Sequence, residues 1–419
     1  MLGDSLNVVV IGGGVIGLCT AWYAAERGHR VTVIDKQSAE HQGCSYGNAG
    51  MLTPSHFIPL AAPGVVRMAL KWMFDAESPF YVRPRIDREL LGWGWRFNRA
   101  ATPRHVAAAA PLIRDLNLAG LAAYQELSRA WADEFHLVER GILMLSRTEH
   151  GLEEEARTAA LANNLGVRAE VVSREQVAEL EPAIKMDIAG GVFYPGDAIL
   201  TPTLFMQALM RRLRDRNVEL LWQTEVTGWQ IKGDRVTAIG TPALLEADEY
   251  VLCGGSWSPS IIRDLRLNLP MQAGKGYSLT IPHPRTKPSR GIILTEARVA
   301  VTPMGDALRF GGTMEIAGID ERVNPSRIKG IVKSACRYFP DLTPDDFRGI
   351  EPWCGLRPCS PDGLPYIGRF RRFRNLSVAT GHAMMGLSLG PITGKLIAQV
   401  LSGEPPAIPL ERLSPDRYA

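Results

Sequence analysis

Cysteine is scarce in this chain. Six thiols in 419 residues (Cys19, Cys44, Cys253, Cys336, Cys354 and Cys359) include no C-x-x-C pair. That excludes a disulfide scaffold and makes reduced thiols in the cytoplasm the expectation. Charge of one sign is missing too. The 47 basic and 44 acidic residues leave a formal net charge of +3, so nothing electrostatic points to a nucleic-acid partner. No run of about 20 apolar residues is evident, so no membrane span is expected. The opening residues lack a basic region followed by a long apolar one, so no cleaved signal peptide is expected. The eight histidines form no H-x-x-x-H or H-E-x-x-H cluster, and no metal site is expected. A G-x-S-x-G elbow is also missing. What remains is a globular composition, 46% hydrophobic and 22% charged, long enough for two or three domains.

The first 35 residues carry the strongest pattern. Residues 6–11 are a short β-branched run that reads as a buried parallel strand. Gly12, Gly14 and Gly17 follow as G-x-G-x-x-G, then a helical stretch over 18–27, Gly28 as its C-cap, and a second strand over 31–34 closed by Asp35. Each part has a physical task. Gly12 makes the tight turn, Gly14 lets backbone approach a diphosphate, and Gly17 lets helix pack on strand. The helix start offers unpaired N–H groups, and Asp35 offers a carboxylate to a ribose hydroxyl. The bland alternative is a glycine-rich turn in an unrelated α/β domain. The fingerprint occurs once and leads into small-residue turns over 42–50 rather than into further βα repeats. One permanently held cofactor that itself does redox chemistry fits this, which points to a flavin.

Further on, residues 57–72 are apolar but broken by Pro59, Pro63 and Gly64, and residues 90–97 carry Trp93, Trp95 and Phe97 beside Arg96 and Arg99. This stretch reads as irregular cover over a substrate domain, or as an aromatic and basic surface resting on a membrane or partner. Helices are expected over 103–135, 153–164, 174–180 (capped by Ser173), 204–217 and 328–338, and a hairpin over 229–239 turning at Gly233-Asp234. Residues 249–257 form a second βα turn around Gly254-Gly255. Residues 274–313 read as an antiparallel sheet. Residues 353–365 are rigid and turn-rich around Arg357, and residues 381–390 read as a mobile loop before a last helix with Pro391 in its first turn. The order is that of a discontinuous cofactor unit (1–80, 190–268 and 350–419) interleaved with a substrate unit (81–189 and 269–349).

Taken together, these marks resemble the D-amino-acid-oxidase and glycine-oxidase superfamily of flavoproteins, and within it the bacterial D-amino acid dehydrogenases of small-subunit type. They are Gly12 to Gly17 with Asp35, Ser45-Tyr46-Gly47-Asn48-Ala49-Gly50, Ala61-Ala62-Pro63-Gly64, Cys253-Gly254-Gly255-Ser256-Trp257, Gly355-Leu356-Arg357-Pro358 with Asp362-Gly363, and Gly381-His382. The resemblance covers essentially the whole chain. It implies an α/β fold, with an FAD-binding Rossmann-like domain and an interleaved domain on an antiparallel sheet. It implies that Gly12, Gly14, Val15, Ile16 and Gly17 hold the diphosphate and that Asp35, with Lys36 beside it, takes the ribose. Asp stands here where the family usually has Glu. Ser45, Asn48, Ala49, Gly50 and Leu52 would lie along the flavin, with Glu225 and Val226 near adenine. Gly254, Trp257, Gly355, Arg357, Gly381, His382, Met385, Gly386 and Leu387 would also contact the cofactor.

The same resemblance implies amino-acid catabolism by oxidation of a D-amino acid to an imino acid, with hydride passing from Cα to flavin N5 and electrons passing on to a quinone or other non-oxygen acceptor. Orientation matters most in such a reaction, and a planar arginine fork suits a carboxylate. Arg357 is the expected anchor. The alternative is a structural pairing with Asp362 or Glu351. Arg309 is a second candidate or a sheet-surface charge. Tyr277 would cap the substrate unless it is an ordinary strand tyrosine. His56 and His382 would line the pocket or tune the amine. Alternatives to the activity are a dehydrogenase of cis-4-hydroxy-D-proline, a glycine- or sarcosine-type oxidase, and a flavin-binding subunit of a larger complex. A peripheral contact on the inner face of the plasma membrane goes with the quinone.

Overall fold

Val8 and Val10 are buried against helices, while Val9 and Ile11 are buried against the opposite layer. A strand alternates its faces, so this one must be covered on both. The computed structural model describes residues 5–41, 43–72, 78–85 and 87–419, apart from the side chains of 69–72. In it, strand Asn7–Ile11 lies inside a six-stranded sheet. The order is Tyr366–Arg369, Leu376–Thr380, Glu249–Leu252, Asn7–Ile11, Arg30–Ile34, Glu219–Leu221. All pairings are parallel except that of Tyr366–Arg369. Helices Val15–Glu26 and Gly386–Leu401 pack on one face. The hairpin Gly228–Lys232 and Arg235–Gly240, extended by Leu244–Glu246, packs on the other.

The two helices approach closely because Gly390 and Gly394 face the first one. A Cβ on Gly394 would fall within 3.0 Å of the Cys19 carbonyl. The segment expected as a mobile loop is instead a short turn, Ala383–Met385, followed at once by the helix. Pro391 therefore sits inside the helix. It has no N–H for the Leu387 carbonyl four residues back, and the Tyr124 hydroxyl donates to that carbonyl at 2.7 Å instead. Tyr124 comes from helix Pro103–Ala130, which packs on Gly386–Leu401. By length and composition this helix and Ala383–Leu401 do reach the apolarity of a membrane span, against expectation. Both contribute to the core that surrounds Val15–Glu26.

The second layer is a large, mainly antiparallel sheet. Its order is Trp353–Cys359, Gln272–Ile281, Ala307–Ile316, Val299–Met304, Gly291–Leu294, Ile142–Ser146, Gly190–Tyr194, Glu170–Ser173, with Phe80–Val82 beside Ala307–Ile316. Strands Gly190–Tyr194 and Trp353–Cys359, expected with the cofactor unit, pair here. Helix Pro103–Ala130, expected with the substrate unit, packs on the first layer. An apolar alternation marks a strand without saying which sheet it joins. Ser173 caps Arg174–Leu180 in a full capping box with Gln176, as its spacing suggests.

A two-stranded ladder, Met51–Leu52 with Ala198–Ile199, ties the layers together. Beside it Asp197 is buried and accepts from the backbone N–H and hydroxyl of Ser55, at 3.1 and 2.5 Å. The Ser55 hydroxyl is also 3.2 Å from His56 Nδ1. Burial pushes the Asp197 carboxyl up to about 7, against the two Ser55 bonds. Burial, then the Arg298 charge, pushes His56 down to about 4. From about pH 4 to 7 the folded chain holds the Asp197 proton better than the unfolded chain does. That stabilisation is full at low pH and fades as pH rises through 7. His56 works in the opposite sense, losing stability as pH falls from about 6.5 toward 4. Asp197→Asn should therefore gain stability relative to the parent as pH rises from about 4.5 to 7.5, read from urea unfolding at both pH values. A difference that does not change with pH would contradict this.

Candidate active site

Parallel strands end on one side, and two of them, Asn7–Ile11 and Glu249–Leu252, run into glycine turns there. Gly12 adopts φ +122°, and a Cβ on it would fall within 3.0 Å of the Cys253 carbonyl. Gly17 is equally confined, by the Gly12 carbonyl. Gly14 differs. Among the described residues only the Ser45 hydroxyl approaches its Cβ position, at 3.5 Å, and its bare face opens on the cavity. The Val15 N–H is capped by Ser45 Oγ at 2.9 Å, and the Gly13 N–H by Asp35 at 2.7 Å. The N–H groups of Gly14 and Ile16 find no partner among the described residues. Such a start of a 12-residue helix is a seat for an anionic diphosphate.

The cavity runs from this turn to Arg357. Gly12, Gly14, Val15, Ile16, Asp35, Lys36, Ser45, Asn48, Glu225, Val226, Gly254, Trp257, Arg357, His382, Gly386 and Leu387 all line it. Lys36 Nζ lies 4.7 Å over the Trp257 ring. Seven expected cofactor residues do not reach it, each for a packing reason. Gly17 seats the helix. Ala49 faces the strand position of Gly311, and Gly50 at φ +73° abuts the Leu200 carbonyl. Leu52 and Met385 pack with the first core. Gly355 lies against the Trp353 ring, and Gly381 against Tyr366. Residues the sequence does not reveal line it as well. Trp222 lies against Gly13 and leaves its buried Nε1 unpartnered, and Cys44 and Thr224 join it. The register of Glu219–Leu221 beside Arg30–Ile34 brings Trp222 there; a three-residue strand has no periodicity to announce it.

Arg309 is buried in the sheet and does not line the cavity. Its Nη1 donates to the carbonyls of Tyr46 and Asn48 at 2.9 and 2.7 Å, and its Nε to Thr280 at 3.0 Å. Burial lowers it to about 10. It is neither an exposed charge nor a ligand-facing group, but the peg that shapes the loop lining the cavity. Tyr277 sits on the far face of its strand, 1% exposed, donating to the buried Glu315 at 2.8 Å. His56 lies with Asp197 instead of the cavity.

Arg357 and His382 remain. Arg357 Nη1 donates to the Thr313 carbonyl at 2.6 Å, and among the described residues no carboxylate lies within 4.0 Å of it. Asp362, one of its expected partners, is taken by Arg417 at 2.8 Å. Burial lowers Arg357 from the usual guanidinium range, so a charge held this way calls for an anion. His382 Nε2 is 3.0 Å from the Thr393 hydroxyl, while its buried Nδ1 has no partner. Burial pushes it down to about 3, so the ring is neutral at physiological pH. The unpartnered atoms of Trp222 and His382, the open N–H groups and the bare face of Gly14 fit one long dinucleotide, with Arg357 at the far end.

Comparison with known proteins agrees. Residues 7–400 match the family model described as FAD dependent oxidoreductase. D-amino acid dehydrogenases from Granulibacter bethesdensis and Paramagnetospirillum magneticum are each 34% identical, covering 99% of this chain and 100% and 99% of their own. The one from Agrobacterium fabrum is 32% identical, covering 99% of this chain and 100% of its own. Glycine oxidase from Geobacillus kaustophilus superposes with TM-score 0.79 at 23% identity, covering 99% of both chains. L-proline dehydrogenase from P. horikoshii superposes with TM-score 0.74 at 18% identity, covering 99% of this chain and 98% of its own. The chain belongs to the family of FAD-dependent oxidoreductases, an α/β flavoprotein whose cofactor is FAD.

Proposed function

We propose that this chain oxidises D-amino acids at the Cα–N bond to imino acids, which water hydrolyses to 2-oxo acids and ammonia. The observation that carries this reading is Arg357, a partly buried guanidinium facing the cavity with no acid among the described residues to neutralise it. The names of the three curated relatives support the substrate class. Bound FAD would supply the acceptor, at flavin N5, for the hydride that leaves Cα. The chain does the rest by orientation. Arg357 takes the substrate carboxylate on the edge of its fork left free by Thr313. His382 presents a neutral Nδ1 and adds no charge that would repel the substrate ammonium. Burial raises the thiols of Cys44 and Cys359 to about 11 and 12, so both stay protonated and neither competes as a nucleophile.

A quinone held in a lipid surface is our reading of the electron acceptor, and with it a peripheral seat on the inner face of the plasma membrane. Helix Arg88–Ala100 supports it. Trp93 and Phe97 face inward, Trp93 donating to the Cys359 carbonyl at 2.9 Å. Leu91 and Trp95 face outward, 64% and 58% exposed, flanked along the same stripe by Arg88 and Arg99. Arg99 lies 4.7 Å over the Trp95 ring. An apolar stripe with arginines at both ends matches an anionic headgroup layer. Residues 73–77 and 86 of this aromatic and basic stretch, and the Trp72 side chain, lie outside the described residues.

Mixing the purified flavoprotein anaerobically with a panel of D-amino acids should bleach its visible absorbance, and no bleaching by any of them would overturn the reading. Bleaching confined to cis-4-hydroxy-D-proline would narrow the substrate to cyclic secondary amines, and peroxide formed in air would reassign the acceptor to oxygen. Arg357→Ala should keep FAD while kcat/KM falls about 50-fold, the size of a lost charge-assisted pair. Gly14→Val should fold, since only Ser45 is near its Cβ position, yet purify without flavin. Leu91→Glu with Trp95→Glu should abolish co-sedimentation with phosphatidylglycerol vesicles while turnover with a soluble dye is kept.

A further inference from the structure

Strand Ala307–Ile316 runs in regular antiparallel register with Gln272–Ile281 from Leu308 opposite Ile281 to Gly312 opposite Tyr277. The register then slips, and Glu315 pairs with Lys275. Two residues, Thr313 and Met314, thus face the single residue Gly276, which makes a β-bulge. Thr313 adopts φ +70°. Among the described residues it is the only non-glycine with positive φ inside a strand, and the only β-branched one. A β-branched residue in this region is strained, and such strain persists only where surrounding structure imposes it.

The bulge changes what lies on the cavity side of the sheet. It turns the Thr313 carbonyl out of the ladder, where Arg357 Nη1 donates to it at 2.6 Å. Arg357 belongs to the next strand over, Trp353–Cys359, opposite Gly274. Its guanidinium reaches back across Gln272–Ile281 and lies flat on Gly276. A Cβ there would fall within 3.0 Å of Cζ and of both terminal nitrogens. Gly274 is filled in the same way. A Cβ on it would fall within 3.0 Å of the Met314 sulfur and the Cys359 sulfur. The Gly274-Lys275-Gly276 segment therefore clears a trough, with the bulge's own Met314 in one end and the arginine fork in the other. Lys275 itself points away, 2% exposed, donating to the Arg322 carbonyl at 2.8 Å.

We infer that Gly276 and the Thr313 carbonyl are positioning elements that hold the Arg357 fork in one orientation for a carboxylate ligand, an inference that rests on the proposed function. A guanidinium seated between a carbonyl and a bare glycine has surrendered its rotamer freedom before the ligand arrives, which strengthens binding and fixes where Cα will lie.

The test uses the full-length, FAD-loaded protein and propionate, a carboxylate with no amino group to oxidise. Binding is followed by perturbation of the flavin spectrum. Gly276→Ala should raise the propionate Kd and the KM for D-alanine at least 10-fold, change kcat less than 3-fold, and leave the response to neutral propionamide unaltered. Arg357→Lys keeps the charge but not the planar fork, so its propionate Kd should rise to within 3-fold of that of Arg357→Ala. A yellow Gly276→Ala protein that binds propionate as the parent does would overturn the inference. Parent-like affinity in Arg357→Lys would do the same, and that variant serves where Gly276→Ala does not fold. If Arg357→Ala itself binds propionate normally, the carboxylate-anchor reading has failed; if only the glycine variant is silent, the seat alone has failed.

Discussion

Parallel pairing is the constraint on which everything at this cavity depends. Strands that run the same way finish on the same side, so Asn7–Ile11 and Glu249–Leu252 must deliver their glycine turns to one edge. The carbonyl of Cys253 then presses on Gly12, and only a residue without a side chain can stand there. The helix after Gly14 cannot lie elsewhere, because Gly390 and Gly394 lock it to the last helix. Its open N–H groups are therefore fixed in place before any ligand binds.

Three arginines, Arg309 buried and Arg357 and Arg417 partly buried, divide the remaining work by the company they keep. Arg417 has a full acid partner, Asp362, along with carbonyls from 364, 365, 413 and 414, and it fastens the C-terminal segment to the loop after Arg357. Burial disfavours the Asp362 carboxylate, but the Arg417 charge and hydrogen bonds outweigh it and hold the carboxyl below its usual range. Arg309 has, among the described residues, only neutral carbonyls and a hydroxyl, and shapes the loop carrying Ser45 and Asn48. Among the described residues Arg357 has a single carbonyl. A cation with an acid is structural, and one satisfied by carbonyls is a peg. One with a single carbonyl beside a cavity has donors left over for an anion that comes from outside.

Much of this is legible in the residues themselves. The glycine turn, Asp35, the second βα turn and the hairpin at Gly233 announce themselves, because each depends on local backbone chemistry. Arg357 stands out for a different reason, as a lone charge in a rigid segment. What is not legible is the direction in which a strand faces. Period-2 alternation says that Gly276 and Tyr277 point to opposite sides, but not which side holds the cavity, and Tyr277 proves to be the buried one. The bulge at Thr313 is equally silent, since nothing in Gly311-Gly312-Thr313-Met314 signals that the slip falls on a β-branched residue. The last helix begins earlier than Pro391 suggests because the hydroxyl that rescues its broken ladder comes from Tyr124, far off in sequence.

The layout of the six-stranded sheet has a consequence for how the polypeptide is made. Asn7–Ile11 is synthesised well before part of its sheet, since one neighbour begins at Glu249 and the strand beyond it at Leu376. This β-branched run must wait, half covered, for more than two hundred further residues. The glycines that clasp the first helix to the last emerge later still. The cofactor cavity is therefore complete only once these later segments have been made, and the apolar edge of the opening strand stays open until then.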